Sequence, residues 1–339
     1  MKRVVIVAAL AFVLALGGFV LRAKSELAPA ASAARPELFV IERGDSMAAV
    51  SQRLERAGLV RSAPALRLLA RFRGVDSQLH VGEYELSAHQ RPAEILDIVT
   101  SGRVKTWPVT LPEGSRLTEV AARLAAARIV DAGDFVRVAS DPELVRELGV
   151  PGRSLEGYLY PDTYALPRGL DAEEVAATLV RQFERVWASE IEPRLGASQL
   201  DKAEIVTLAS IVEKETAVPE ERPLIAAVFL NRLARGMRLE TDPTVIYGIA
   251  DFDGNLRKLH LQDETNPYNT YRIAGLPPGP IANPGVEALR AVVEPSETDA
   301  LYFVSRNDGT HVFSATYAEH LAAVDRYQKR RSGRTKAKQ

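Results

Sequence analysis

The hydrophobic pattern opens with an unbroken run: Val4 to Leu21 (VVIVAALAFVLALGGFVL) holds eighteen residues without a charge, between Lys2-Arg3 and Arg22 with Lys24. As a helix rising about 1.5 Å per residue it covers roughly 27 Å, enough for a bilayer core, so residues 1–24 read as a cytoplasmic end and a single transmembrane anchor. A cleaved signal peptide is the alternative, since Ala31-Ser32-Ala33 is a small-residue site, but that site lies ten residues beyond the run. Flanking charges are nearly balanced across the run, and the reading taken is an inner-membrane protein with its N-terminus cytoplasmic and its body outside. Residues 25–36 (SELAPAASAARP) lack an apolar period and read as a linker.

Beyond the linker the pattern changes to short strand-like runs and amphipathic helices, which predicts an α+β fold. Gly44–Val60 aligns with Gly114–Val130 at six of seventeen positions, each copy following a strand-like run (Leu38–Ile41, Trp107–Leu111) and turning at its glycine into a helix. The first copy continues through a helix (Ala63–Arg73), a strand (Gly82–Leu86) and a third helix (Pro92–Thr100). This βααβ order over residues 37–105 resembles a LysM-type glycan-binding module. The second copy opens a larger mixed α+β domain over 106–328. The last stretch, 329–339, carries a run of basic residues without an acid and reads as a disordered solvated tail.

Composition narrows the chemistry. At ~150 residues per domain, 339 residues fit about two globular domains. A net charge of −1 (43 Lys+Arg, 44 Asp+Glu) argues against a nucleic-acid partner. With no cysteine, disulfides, thiolate metal sites and thiol nucleophiles are excluded. The five histidines are scattered, without a His-Glu-x-x-His helix, so no metal is expected; no glycine-rich phosphate loop is present, so no nucleotide cofactor is expected either.

The densest chemistry lies in Ile205–Val218 (IVTLASIVEKETAV). Ile205, Leu208, Ile211 and Val212 form a helical stripe whose next positions are Glu215 and Val218, while Glu213 and Lys214 fall on other faces as solvated charges. Burial would raise the Glu215 pKa toward neutrality, as a general acid requires; a structural pairing with an arginine is the alternative. The next helix, Glu221–Arg235, places Asn231 on a buried edge, where its amide either ties down a loop or bonds a substrate. Thr241-Asp242-Pro243 reads as a helix start with Asp242 as its cap. Two loops, Glu156–Tyr164 and Asn266–Pro284, are rich in tyrosine, asparagine and proline, a combination suited to gripping sugar rings or else to plugging a core edge.

Four strings together, Glu156–Tyr164 (EGYLYPDTY), Leu208–Thr216 (LASIVEKET), Asn231–Gly248 (NRLARGMRLETDPTVIYG) and Tyr268–Pro284 (YNTYRIAGLPPGPIANP), resemble the endolytic murein transglycosylases of the YceG-like family. The resemblance implies a lyase with a lysozyme-like catalytic helix and Glu215 as its acid. It implies cleavage of MurNAc–GlcNAc bonds in nascent peptidoglycan strands, leaving 1,6-anhydro-MurNAc ends, without a cofactor. One carboxyl suffices for that reaction, whereas a hydrolase needs a second, and the nearby Asp242 and Glu156 have structural readings. Tyr158, Asn231, Thr241, Tyr268 and Asn269 are the candidates for holding the glycan. Association with peptidoglycan synthases is a further implication. A muramidase, or a non-catalytic peptidoglycan-binding scaffold for such synthases, are the alternatives.

Overall fold

The computed structural model describes residues 14, 17, 18, 21, 22 and 24–329 except 197. The chain divides into two compact units, residues 1–107 with 165–169, and residues 108–164 with 170–339. Of the predicted span Val4–Leu21, only Leu14, Gly17, Gly18 and Leu21 are described, all helical and exposed. The rest of the span lies outside the described residues, as does the tail beyond Lys329. Among the described residues no helix is long and apolar enough to cross a membrane.

The first unit runs β1 (Glu37–Ile41), α1 (Met47–Arg56), α2 (Ala63–Arg73), β2 (Gly82–Leu86) and α3 (Pro92–Thr100). β1 and β2 pair antiparallel, with Phe39 opposite Tyr84 and Ile41 opposite Gly82. Alternation along β1 sends Phe39 and Ile41 inward to meet Val50 and Leu54 of α1, Leu66 of α2 and Ile95 of α3. Ser46 caps α1 by accepting from Ala49 N–H, and Gly44 makes the preceding turn at φ +89°.

The chain continues through β3 (Thr106–Thr110), α4 (Leu117–Ala126), α5 (Ala132–Ala139), α6 (Pro142–Glu147) and β4 (Thr163–Pro167). β3 pairs with β4, so strand, helices and returning strand occur twice in the chain. The two copies also end their first helices alike: Leu59 N–H returns to Leu54 C=O, and Ile129 N–H to Leu124 C=O.

The remainder is α7 (Ala172–Val186), α8 (Lys202–Glu215), α9 (Arg222–Ala234), α10 (Asp242–Tyr247), α11 (Lys258–Gln262), α12 (Val286–Val293), the antiparallel pair β5 (Tyr302–Ser305) and β6 (His311–Ser314), and α13 (Tyr317–Val324). The whole is a mixed α+β protein whose sheets have two strands each.

The central helix is α8, which packs against α9, α10 and α12. Every residue from Ile205 to Val212 is buried, so the predicted single stripe is in fact a helix covered on all sides. Asp201 accepts from Glu204 N–H at one end, and at the other Thr216 turns extended (φ −141°, ψ 139°), leaving Val218 beyond the helix.

Candidate active site

Glu215 is the last residue of α8, so its side chain leaves the packed helix where the chain turns away. It stands in the wall of a cavity of about 510 Å³ that also carries Arg232 from α9, Thr241 and Asp242 at the start of α10, Tyr271, Tyr302 from β5, His311 from β6, and His320 from α13. The Thr241 hydroxyl donates to Glu215 Oε1. Burial pushes the Glu215 carboxyl up to about 7. The Thr241 hydrogen bond opposes the rise, the Asp242 charge adds to it, and His311 and Arg232 oppose it more weakly. A carboxyl in that range is a proton donor near neutral pH.

Thr241 is itself fixed. Its N–H donates to Thr270 Oγ1 (3.0 Å), and its C=O accepts from the Thr244 hydroxyl (2.8 Å). Asp242 does not cap α10 through its side chain: Thr241 is the extended residue before the helix, and Asp242 Oδ1 accepts from the Tyr271 hydroxyl (2.8 Å). The Asn266–Pro284 loop is thereby tied to the cavity wall, while its other end is tied to α8, where Ser210 Oγ accepts from Ile281 N–H (3.0 Å).

Arg232 donates to carbonyls, with Nε to Leu301 (2.7 Å) and Nη1 to Leu239 (2.7 Å), pairs with Glu240 (3.5 Å), and its guanidinium lies 5.2 Å from the centre of the Tyr302 ring. His311 is held by Glu221, whose carboxylate accepts from the His311 backbone N–H and meets ring Nδ1, both at 2.7 Å. Burial works against the Glu221 charge, but those two bonds hold its carboxyl below the ordinary range, so the ring keeps a fixed anionic partner.

Of the six residues singled out from sequence, the structure brings Glu215 and Thr241 together and places the other four elsewhere. Tyr158 is fully buried, its ring edge-on to Phe183 at 5.0 Å and its hydroxyl donating to Pro151 C=O. It is a core residue with no surface to offer a glycan, and Tyr160 and Tyr164 of the same loop are also buried. Asn269 is fully buried, and its amide donates to the carbonyls of His260, Leu261 and Asp263, which closes its own loop. Asn231 donates to Thr298 C=O (2.8 Å) and Ala300 C=O (3.0 Å), fastening the chain that leads into β5. Tyr268 is half-buried, its ring 4.7 Å from that of Tyr247 and outside the Glu215 cavity. Glu213 is not a solvated charge: it pairs with Arg222 (2.9 Å) and accepts from Gly285 N–H (3.0 Å).

Sequence reasoning passed over Arg232, Tyr271, Tyr302 and the Glu221–His311 pair. For Arg232 a signal existed, because the buried positions Ile225, Val228, Phe229 and Arg232 of α9 run at helical steps that end on a charge, the pattern that singled out Glu215. For His311 none existed, because its place beside Glu221 depends on a contact across 90 residues.

Among the described residues no cluster of His, Asp and Glu has the arrangement of a metal site. The cavity therefore offers a half-buried acid, a hydroxyl that holds it, two further carboxylates (Glu240 and Asp242) and aromatic walls, the equipment for proton transfer to a polar ligand.

The profile of the YceG-like family matches residues 39–326. The chain belongs to the YceG-like family. A family relative from Bacillus subtilis, named endolytic murein transglycosylase, is 29% identical over 331 residues, covering 93% of this chain and 91% of the relative. One from Streptococcus pneumoniae D39 bears the same name and is 29% identical over 299 residues, or 78% of this chain; that match takes in 53% of the longer pneumococcal protein. The crystal structure of a YceG-like protein from Listeria monocytogenes superposes with a TM-score of 0.59 at 30% identity, covering 85% of this chain and 98% of that one.

Proposed function

We propose that this YceG-like chain is an endolytic peptidoglycan lytic transglycosylase, a lyase, with Glu215 as its catalytic acid. The observation that carries the reading is a carboxyl raised to about 7 in the wall of an open cavity, in a family whose curated relatives are named endolytic murein transglycosylases. The protonated Glu215 gives its proton to the oxygen bridging MurNAc and GlcNAc, and the C1–O bond breaks with its electron pair on that oxygen. The resulting Glu215 carboxylate takes the proton of the muramoyl 6-hydroxyl as that oxygen closes on C1. The product is a 1,6-anhydro end, and no water is consumed. Thr241 steadies the carboxylate between the two proton transfers.

Asp242 in the same cavity favours one competing reading, a muramidase, because hydrolysis calls for a second carboxylate. Its bond to Tyr271 supports a positioning role instead. The charge-free run before Arg22 supports anchoring to the inner membrane with the body outside, and the βααβ order of residues 37–105 supports a LysM-like module ahead of a catalytic domain over 106–328. In that arrangement the enzyme cuts strands beside the membrane where synthases extend them.

The test is mass spectrometry of fragments released from purified glycan strands by the full chain and by Glu215→Gln. The expected result is 1,6-anhydro ends that disappear in the variant. Reducing ends would favour the muramidase, and undiminished cleavage by the variant would remove Glu215 from the reaction.

A further inference from the structure

Helix α2 has two apolar faces, and only one of them is used inside the protein. Ala63, Leu66 and Ala70 point into the core of the first unit. Ala65, Leu68 and Phe72 form a second stripe at helical steps, on which Phe72 is 90% and Leu68 62% exposed, with Leu69 at its edge packed partly against the core. Arginines border this stripe on both sides, Arg67 and Arg71 along one edge and Arg73 along the other, and α2 contains no acidic residue. An outward apolar stripe edged by arginines is the signature of a helix that lies in the plane of a membrane interface.

The neighbouring chain points to the same occupant. The stripe forms one wall of a cavity of about 600 Å³ whose opposite wall is Arg22, Glu26 and Leu27. The charge-free run Val4–Leu21 ends at Arg22, so the chain leaves its apolar stretch beside Leu68 and Phe72. If that run sits in a bilayer, the cavity mouth lies at headgroup depth. Exposed Lys24 adds to the positive border there.

We infer that this face of α2 docks on the membrane surface, inserting Leu68 and Phe72 among acyl chains while Arg67 and Arg71 contact anionic phospholipid headgroups; Arg73 is paired with Asp97 (2.6 Å). The inference rests on the anchor proposed above and not on the assignment of Glu215. It makes the first unit a second, peripheral membrane contact that restrains the unit against the bilayer.

The absence of cysteine allows a clean test on the full chain in nanodiscs of phosphatidylcholine with phosphatidylglycerol. Nitroxide labels are placed singly through Leu14→Cys, Phe72→Cys and Gln52→Cys, the last on the exposed side of α1. Collision with oxygen and with a water-soluble nickel chelate is then compared at each site. The expected result is oxygen dominating at 14 and 72, nickel dominating at 52, and a shift of 72 toward water on adding Arg67→Gln and Arg71→Gln. A label at 72 that is as nickel-accessible as at 52, while 14 stays embedded, overturns the inference and leaves the anchor standing. A label at 72 shielded only when soluble glycan strands are added overturns it in favour of a glycan surface, and a water-exposed 14 removes the anchor and this inference with it.

Discussion

Replacing Glu215 by glutamine removes the proposed acid and, by the same physics, alters stability in a pH-dependent way. The carboxyl rises from an ordinary 4.5 to about 7 because burial disfavours its charge. A raised carboxyl binds its proton more tightly in the folded state, so the site contributes nothing adverse below 4.5, where both states are protonated. Between 4.5 and about 7 the unfolded chain ionises first, and stability is lost as pH rises; above that range the loss is complete. At ~1.4 kcal/mol per pH unit, the full loss is about 3 kcal/mol. Glutamine has nearly the shape of the protonated acid, can still accept from Thr241, and carries no charge to bury. The variant and the parent should therefore unfold alike near pH 4, and the variant should be more stable by about 3 kcal/mol near pH 8. Urea unfolding followed through Trp187, which packs on Phe183 in the second unit, reads this difference. In parallel, glycan cleavage should fall by on the order of 10²–10⁴, the usual contribution of a general acid. A stability difference that stays constant across this pH range would refute the claim that burial keeps Glu215 protonated.

Thr241→Val removes a hydrogen bond that lowers the Glu215 pKa, and because the acid must be protonated to act, the descending limb of the pH–rate profile should move to higher pH; a limb displaced downward would contradict the sign. Asn231→Ala leaves the carbonyls of Thr298 and Ala300 without their donor and should cost about 1–3 kcal/mol of stability. Thermal melting reads that loss, and the 1,6-anhydro product should remain unchanged, since the amide does not line the Glu215 cavity.

Local elements were legible because they depend on near neighbours. The helix holding Glu215 and the turn glycines Gly44 and Gly114, both at positive φ, follow from periodicity and from the backbone freedom of glycine. The burial of Glu215 was read from a stripe, yet the helix is buried all round, and what leaves the side chain open to a cavity is its place at the helix end. The tyrosine-rich loops misled because composition does not distinguish an aromatic that faces a ligand from one that faces the core. Gly157 shows why these loops turn inward: at φ +90°, an added Cβ would stand 2.5 Å from Pro280 Cγ and 2.9 Å from Val206 Cγ1. The loops that resemble sugar-gripping strings thus pack tightly against α8, and only Tyr271 reaches the cavity. The Glu221–His311 pair and the approach of Thr241 to Glu215 are long-range contacts that no local period encodes.

A raised pKa alone does not identify the acid, because Glu156 also rises to about 7, again through burial. Its surroundings differ. Both Glu156 oxygens accept from Leu117 N–H (3.0 and 3.1 Å), Asn283 Nδ2 donates to Oε1 (3.1 Å), and the Tyr247 hydroxyl donates to Oε2 (3.2 Å). Asn283 in turn accepts from Leu159 N–H and donates to Ser115 C=O, so the carboxyl is the centre of a closed set of bonds joining four chain segments. It does not line the Glu215 cavity, and only 5% of its surface is exposed. Glutamine can keep this set, with its oxygen toward Leu117 and Asn283 and its amide donating to a reoriented Tyr247 hydroxyl. Alanine leaves the N–H of Leu117 and one of the two amide N–H groups of Asn283 unpaired, at about 1–3 kcal/mol for each buried group. Glu156→Gln should therefore retain cleavage where Glu215→Gln loses it, while Glu156→Ala should melt at lower temperature. If Glu156→Gln kept its melting temperature but released no 1,6-anhydro ends, the proton donor would have to be sought in the closed network, and the reasoning from the open cavity would fail.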